Sequence, residues 1–281
     1  MKWKRNELIV NSKLDEILNG LMLGDGNLRK RKSGSIRLQM NMKYKKFLEW
    51  LKEILENEGM KFVGDITSST GKVGIGNSNK EYTSWHLHSK TYYKGLNEIY
   101  DKWYPNGKKV IPKDLELTPI TILHWYLGDG SKHFTKQHRS LRFATLSFTE
   151  MECIYLRDKL RKLGFRVSVH RDSIKTYPNI VSLYSTSVLD FFKYMGKCPK
   201  EIEDIYGYKW LTPEQKEYML KPKYTGVTKT YVKSWTDEEI EYISSDRYNK
   251  TIEEMGKSLN RSISSIQHKL LRLGIRKYPK I

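Results

Sequence analysis

Two short stretches of this sequence end in an aspartate that lies between two glycines. They are LNGLMLGDG at residues 18–26 and ILHWYLGDG at residues 122–130. Apolar residues precede each acid at helical spacing, so Asp25 and Asp129 each lie at the end of the apolar face of a helix. The C-terminal end of a helix carries partial negative charge, and a carboxylate there is unfavourable unless a cation is close.

These two acids predict metal-dependent chemistry if their helices pack together. Gly20 and Gly24 give the first helix a face of small residues, which allows a second backbone to approach closely. Asp25 and Asp129 would then meet, and two adjacent carboxylates either share a proton or bind a metal ion. Carboxylate oxygens favour Mg²⁺, and paired metal ions stabilise the attacking and leaving oxygens of phosphodiester cleavage.

The charge of the chain indicates a polyanionic partner. Its 281 residues include 51 Lys and Arg against 32 Asp and Glu, a formal net charge of +19. Cations placed against phosphates release condensed counterions, so this excess favours nucleic acid. A membrane partner is disfavoured because no apolar run approaches the ~20 residues that a span requires. Cys153 and Cys198, the two cysteines, exclude a cysteine-rich zinc site and predict an intracellular, reducing compartment, whether organelle, phage-infected cell or bacterial cytoplasm.

The pattern of elements repeats around the two motifs. After each motif helix we expect a hairpin, an amphipathic helix, two further strands and a short helix. The hairpins are expected at 33–41 and 138–148, the amphipathic helices at 43–58 and 149–163, the strands at 61–69, 83–89, 166–172 and 179–185, and the short helices at 90–102 and 187–196. This order predicts an α+β fold, a tandem αββαββα repeat with a pseudo-twofold axis and half-domains at 1–110 and 111–211.

A separate unit is expected at the C-terminus. Residues 212–233 hold two prolines, a glycine and many charges, which is typical of a linker. Residues 234–281 predict three short helices, capped by Ser234 or Thr236, by Thr251 and by Ser262. A tight turn before a basic last helix resembles a helix-turn-helix module, which would bring the side chains of its third helix to DNA: Gln267, Lys269 and Arg272. The alternative is a helical bundle that only packs on the main body.

Residues 10–211 resemble the LAGLIDADG homing endonucleases of the single-chain type, both in the two motifs and in the order of elements. The resemblance implies that the motif helices form the interface of two half-domains, whose saddle-shaped antiparallel sheets lie along the major groove of double-stranded DNA. It implies that Asp25 and Asp129 bind Mg²⁺ or Mn²⁺ and activate water, and that the carbonyls of Gly24 and Gly128 complete the metal shell. A monomer would cut both strands of a long site and leave short 3′ overhangs.

One residue departs from the family pattern. His124 stands at the small-residue position that Gly20 holds in the first motif, so helix packing is expected to be asymmetric, with the imidazole tilted aside. Because this position faces the interface, a role for His124 as a catalytic base is disfavoured.

The resemblance also implies a basic residue near each acid. Lys109 in NGKKVIPKDL and Lys209 in IYGYKWL stand where these residues are expected. Such a lysine can polarise water or offset charge that develops on the phosphorus. A surface lysine that touches a phosphate is the alternative for either one.

Basic and amide side chains of the two hairpins are expected to contact DNA. Arginine suits guanine edges, and glutamine or asparagine suits adenine, while most of the others would hold phosphates. The first hairpin supplies Arg29, Lys30, Arg31, Lys32, Arg37, Gln39 and Asn41, and the second supplies Lys132, His133, Lys136, His138, Arg139 and Arg142.

Two other functions fit the same fold. A group I intron RNA maturase would use the same charge on intron RNA, and a non-cleaving DNA-binding regulator would use the C-terminal helices. Either could dispense with the two acids, so the presence of both Asp25 and Asp129 favours the nuclease.

Overall fold

The computed structural model describes residues 6–75, 78–134, 139–170, 180–220, 235–245 and 250–273. The chain divides into two compact units, Met1–Lys221 and Pro222–Ile281. The first unit contains both expected halves, and the second contains the C-terminal helices.

The two halves of the first unit have the same order of elements. The first half comprises α1 (Ser12–Leu23), β1 (Asn27–Lys30), β2 (Ile36–Met42), α2 (Lys45–Asn57), β3 (Thr67–Ile75), β4 (Ser78–His88) and α3 (Leu96–Trp103). The second comprises α4 (Pro119–Asp129), β5 (Gly130–Phe134), β6 (Arg139–Ala144), α5 (Glu150–Lys162), β7 (Val167–His170), β8 (Ile180–Leu183) and α6 (Val188–Met195). The predicted tandem αββαββα repeat is confirmed.

Each half forms a four-stranded antiparallel sheet. The strand orders are β1-β2-β4-β3 and β5-β6-β8-β7, so the two sheets share one topology. Alternate residues of the inner strands are buried in the core, among them Leu38, Met40 and Leu87, while their neighbours Arg37, Gln39 and His88 remain partly accessible. Because side chains alternate across a strand, each sheet has one apolar face against helices and one open polar face.

The two hairpins and one strand differ from their expected bounds. Residues 33–41 and 138–148 each contain one strand of a hairpin, because the partner strands β1 and β5 begin directly after the motifs. The first hairpin turns at Arg31–Ser35, where Gly34 has a φ of 82° and Arg31 N–H donates to Ser35 O at 2.9 Å. The strand expected at 61–69 begins at Thr67 and pairs with β4 as far as Ile75.

The expected linker is partly helical. The last part of the first unit forms α7 (Glu203–Tyr206) and α8 (Pro213–Leu220), and Met219 of α8 is buried in the core. Residues 221–234 lie outside the described part of the chain. The second unit contains α9 (Asp237–Ser245), α10 (Ile252–Leu259) and α11 (Ile263–Arg272).

The motif helices α1 and α4 pack backbone against backbone. Near their N-terminal ends, the Thr121 hydroxyl donates to the Glu16 carbonyl at 3.2 Å, and the Thr118 hydroxyl donates to the Glu16 carboxylate at 2.7 Å. One turn further on, a β-carbon built on Gly20 would lie 2.4 Å from the Thr121 carbonyl oxygen and 2.7 Å from the His124 β-carbon. A side chain at Gly20 is therefore sterically excluded.

His124 fills the space on the opposite side of this contact. Its imidazole stacks on Trp50 of α2, with centroids 5.8 Å apart and planes at 15°, and its Nδ1 lies 2.9 Å from the Ile120 carbonyl oxygen. The ring is buried, and burial lowers the pKa of His124 to about 4. The imidazole is therefore neutral packing material, as expected from its place at the interface.

The Gly20 contact generates a prediction. Gly20→Ala should lower the free energy of unfolding by about 1–3 kcal/mol or more, because overpacking forces two backbones apart. Gly24→Ala, at the residue that directly follows α1, is the control, since a β-carbon there meets nothing closer than 3.6 Å. Urea denaturation measures both, and equal losses would contradict this packing.

The burial of neutral His124 predicts a pH dependence of stability. A free histidine has a pKa of about 6.5, so the unfolded chain binds a proton that the folded state excludes. Stability is complete above the unfolded pKa and falls as the pH drops from about 6.5 towards 4, by up to about 1.4 kcal/mol per pH unit. In urea denaturation between pH 7 and 5, the free energy of unfolding should decline less for His124→Gln than for the wild-type protein. Equal declines would exclude His124 as the origin of the pH dependence.

Candidate active site and nucleic-acid interface

The C-terminal ends of the motif helices bring Asp25 and Asp129 together. Gly24 follows the last residue of α1, and Asp129 is the last residue of α4. A β-carbon built on Gly128 would lie 3.4 Å from Asp25 Oδ2 and 3.5 Å from the Gly24 α-carbon. The Asp25 carboxylate therefore reaches over the end of the other helix, next to Asp129.

Each acid lies in the electrostatic field of the other. Asp25 is exposed and Asp129 is half-buried, so the pair remains open to a substrate. Desolvation raises the pKa of Asp25 against the lowering effect of Lys209 and Lys109. Desolvation and then the negative charge of Asp25 raise the pKa of Asp129 to about 7. Two carboxylates in this relation gain from a cation placed between them.

A lysine lies beside the end of each motif helix. Lys109 Nζ donates to the carbonyls of Gly24 at 3.2 Å and Gly26 at 3.0 Å, both in its own half. Lys209 Nζ donates to the carbonyls of Tyr126, Leu127 and Gly128 at 3.1, 2.6 and 3.1 Å. A cation at a helix C-terminus compensates the partial negative charge of the unpaired carbonyls. The four expected catalytic residues thus form one cluster.

Burial affects the ionisation of both lysines. It lowers the pKa of Lys109 and the pKa of Lys209 to about 8 each, and the charges of Asp25 and Asp129 limit the fall. Lys209 lies in a turn of 3-10 helix at Gly207–Lys209 and is 6% exposed, whereas Lys109 is half-buried in the segment after α3. Both ammonium groups are therefore held in place by protein atoms.

The donor atoms fit a hard divalent cation. Two carboxylates and the carbonyls of Gly24 and Gly128 supply oxygen alone, which is the ligand set that Mg²⁺ prefers. Each carbonyl already accepts a lysine proton, and its second lone pair remains for a metal ion. Within the described ranges, no group of three or more His, Cys, Asp and Glu residues is arranged to hold a metal. A cation here would therefore keep water or take further oxygen from a substrate, as Mg²⁺ does in phosphate sites.

The open face of the first sheet carries a row of side chains that can read bases. Arg37 lies opposite Arg29, and Gln39 lies between Asn27 on one side and His88 on the other. The next row pairs Asn41 with His86, and the His86 Nδ1 lies 2.7 Å from the Asn41 Oδ1. Arg31 and Lys32 are exposed in the hairpin turn. Lys30 is opposite Ile36, on the core side of the sheet edge, with its ammonium 5.4 Å from the Tyr100 ring centroid.

His86 and His88 belong to this face but were missed by sequence reasoning. They flank the buried Leu87 in the stretch WHLHS, so the alternation of β4 already contained the signal. The strand pairing that joins them to Gln39 and Asn41 was not apparent from the sequence. Desolvation and the charge of Arg37 lower the pKa of His88, which favours a neutral ring able to donate and accept at base edges.

The second sheet divides its expected contacts between two faces. Arg142 lies opposite Ser131 and Ser182 on the open face, and His133 pairs with Ser140 on the same face. Lys132 and Arg139 lie on the other face, in register with Leu141 and Phe134.

The side chains of Lys132 and Arg139 already make contacts within the protein. Lys132 Nζ donates to Trp210 O at 2.6 Å and to Gln215 Oε1 at 2.8 Å, and the Arg139 guanidinium lies 3.9 Å from the Tyr218 ring centroid. Lys132 and Arg139 therefore lie away from the open face, where the other expected DNA contacts of this sheet lie. Lys136 and His138 lie outside the described residues.

In the second unit, α11 carries the three side chains expected at DNA. Gln267 is exposed, and Lys269 is partly buried with its ammonium 5.8 Å from the Trp235 ring centroid. Arg272 is the last residue of α11, and its side chain lies outside the described part. None of the helices described is both long and apolar enough to cross a membrane.

Comparison with known proteins identifies relatives of this chain. It is 28% identical to a cytochrome b mRNA maturase bI2 of Debaryomyces hansenii over 192 residues, which cover 64% of this chain and 70% of that protein. It is 27% identical to an uncharacterized protein of Methanocaldococcus jannaschii over 162 residues, or 57% of this chain. That match spans about three-fifths of the archaeal protein, 61% of its length.

The fold and the sequence match one family. The structure of the homing endonuclease I-WcaI bound to its DNA recognition sequence superposes with a TM-score of 0.58 and 21% identity, over 78% of this chain and 89% of that chain. The model of the LAGLIDADG DNA endonuclease family matches residues 15–191, which include both motifs, both sheets and both acids. The chain therefore belongs to the LAGLIDADG DNA endonuclease family.

Proposed function

We propose that this protein is a site-specific DNA endonuclease that hydrolyses one phosphodiester bond in each strand of a long target and leaves short 3′ overhangs. The observation that carries the proposal is the meeting of Asp25 and Asp129 at the ends of two packed helices, with one lysine beside each end. Each half supplies one acid and one lysine, so a monomer contains a complete set for two strands.

Asp25 and Asp129 are suited to a metal ion and would hold Mg²⁺ or Mn²⁺ together with the carbonyls of Gly24 and Gly128. Such ions polarise the phosphate and lower the pKa of a bound water. Asp25 and Asp129 also orient water that lies against the scissile phosphates, because a carboxylate accepts hydrogen bonds. Lys109 and Lys209 offset negative charge that develops on the phosphate oxygens, and their burial strengthens this effect.

Target recognition would use the open faces of both sheets. Arg37, Gln39 and Asn41 in the first sheet, with Arg142 and His133 in the second, present donors and acceptors suited to base edges in the major groove. The two faces carry different side chains, so the target should be asymmetric. The remaining cations and the net charge of +19 support contacts with phosphates.

RNA maturation is the second candidate function. The observation that favours it is the 28% identity with a cytochrome b mRNA maturase. A maturase does not require paired acids, so the presence of both Asp25 and Asp129 favours cleavage. One protein can perform both functions.

The acids provide the first test. A target is selected from random duplexes bound by the Asp25→Asn/Asp129→Asn double variant, and cleavage is then measured with Mg²⁺. Each single variant should retain binding and lose about 100-fold or more in the rate of double-strand cleavage, because the metal-holding charge is removed. Asp101→Asn, at an exposed position on α3, is the control and should cleave at the wild-type rate. A fully active Asp25 or Asp129 variant would refute the role of that acid.

The lysines provide a second test. Lys109→Met keeps most of the side-chain volume and removes the charge, so we expect the cleavage rate to fall about 10- to 100-fold, and the affinity for the target by a smaller factor. Lys108→Met is the matched control, since Lys108 is exposed next to it. Single-turnover rates and equilibrium binding separate the two effects. Equal losses of rate and affinity would reduce Lys109 to a phosphate contact.

A further inference from the structure

We propose that the C-terminal unit is a second DNA-reading head, which places α11 in a major groove and reads base pairs beyond those read by the sheets. The proposed nuclease uses only residues of the first unit, so this inference goes beyond it. It rests on the turn that begins α11, on the contacts that fix this helix, and on the distribution of charge.

The turn before α11 has the geometry of a tight helix-turn-helix corner. Asn260 ends α10 in the left-handed region, with φ 47° and ψ 49°, which asparagine adopts more readily than most residues. Arg261 N–H donates to the Gly256 carbonyl at 2.9 Å, and a β-carbon built on Gly256 would lie 2.9 Å from Arg261 O. The Ser262 hydroxyl then caps α11 by accepting from Ser265 N–H at 3.2 Å. Three residues, 260–262, therefore connect the two helices in a tight turn.

A buried ion pair fixes this turn to the first helix of the unit. The Arg261 guanidinium donates through Nε and Nη2 to the Glu239 carboxylate, at 3.2 and 2.6 Å. The two side chains are 5% and 9% exposed, and the guanidinium carbon lies 4.1 Å from the Trp235 ring centroid. Because a bidentate pair stacked on an aromatic ring has little freedom, the start of α11 is held relative to α9.

The sides of α11 differ in what they contact. Ile266 and Leu270 are buried with Ile243 and Met255 in a core that belongs to this unit. Ile263, Gln267 and His268 are exposed, and Ile263 and Gln267 lie four residues apart on one face. Ile263 is 44% exposed at the first position of the helix, so its methyl groups are accessible to a partner.

Charge is distributed to favour DNA at this face. The sequence of α9 contains four acids and that of α10 contains two, whereas α11 contains none. The stretches 221–234 and 274–281, which precede and follow the three helices in the sequence, contain seven Lys and Arg residues and no acid. A helix free of acids does not repel the phosphates on the two sides of a groove, and the excess of basic residues in the sequence of this unit adds to its attraction for DNA.

The exposed side chains suit particular bases. The N-terminal residues of a recognition helix contact base edges in helix-turn-helix proteins. Gln267 matches the donor and acceptor of adenine, and the methyl groups of Ile263 match the thymine methyl. Ile263 and His268 therefore join Gln267 at the base edges, while Lys269, partly buried beside Trp235, is placed for a phosphate.

The experiment is selection of bound duplexes from a random library by the full chain carrying Asp25→Asn and Asp129→Asn. We expect two conserved blocks in the selected sequences, a long one for the sheets and a short one containing A·T pairs for α11. Gln267→Ala and Ile263→Ala should abolish the short block, leave the long block intact and weaken binding to the two-block duplex about 5- to 100-fold.

Controls separate this proposal from folding defects and from the nuclease proposal. Lys257→Ala and Glu241→Ala change exposed residues on α10 and α9 and should keep both blocks. Circular dichroism should show unchanged unfolding for the α11 variants, since their side chains are exposed. A single block from the parent protein, or a short block that survives both α11 substitutions, would overturn the proposal. A short block without a long one would support base reading by α11 and contradict DNA recognition by the sheets.

Discussion

The structure depends on how closely the backbones of α1 and α4 approach. Gly20 brings one backbone against the Thr121 carbonyl, and the contact continues one turn later at Gly24 and Gly128. Both helices end at this contact, so the acids at their ends are brought together despite their charge. The site is therefore a consequence of interface packing, and the lysines that reach each helix end compensate part of the resulting negative charge.

The two halves share a topology but differ in the side chains at the helix interface and on the open sheet faces. His124 replaces a glycine at the interface and is accommodated by Trp50 of the first half, so the pseudo-twofold axis does not extend to side chains. The open faces differ too, with Gln39, Asn41 and two histidines in the first sheet and Arg142 among serines in the second. Under the proposed function, a single chain with unlike halves is suited to an asymmetric target, and two acids in equivalent positions are suited to the same chemistry on both strands.

The sequence predicted the parts whose signal is local. The repeated motifs, the order of elements and the helix caps at Thr251 and Ser262 follow from residue type and spacing, and the two lysines follow from the family resemblance. The features that the sequence could not predict depend on which strands pair. Lys132 and Arg139 were grouped with their neighbours by charge, although strand alternation turns them towards Trp210 and Tyr218. The four-residue strand β1 was missed because it follows the motif without a break, and α8 because two prolines suggested a linker.

Cleavage of a randomised duplex library with Mg²⁺ would show whether the paired acids make this protein a nuclease. The cut ends are sequenced for the wild-type protein and for the Asp25→Asn/Asp129→Asn double variant. We expect ends on both strands at a fixed offset within one long recurring sequence, and none from the double variant. Binding of the library by the wild-type protein without cleavage would show that the protein is not a nuclease. Equal cleavage by the double variant would show that cleavage does not depend on Asp25 and Asp129.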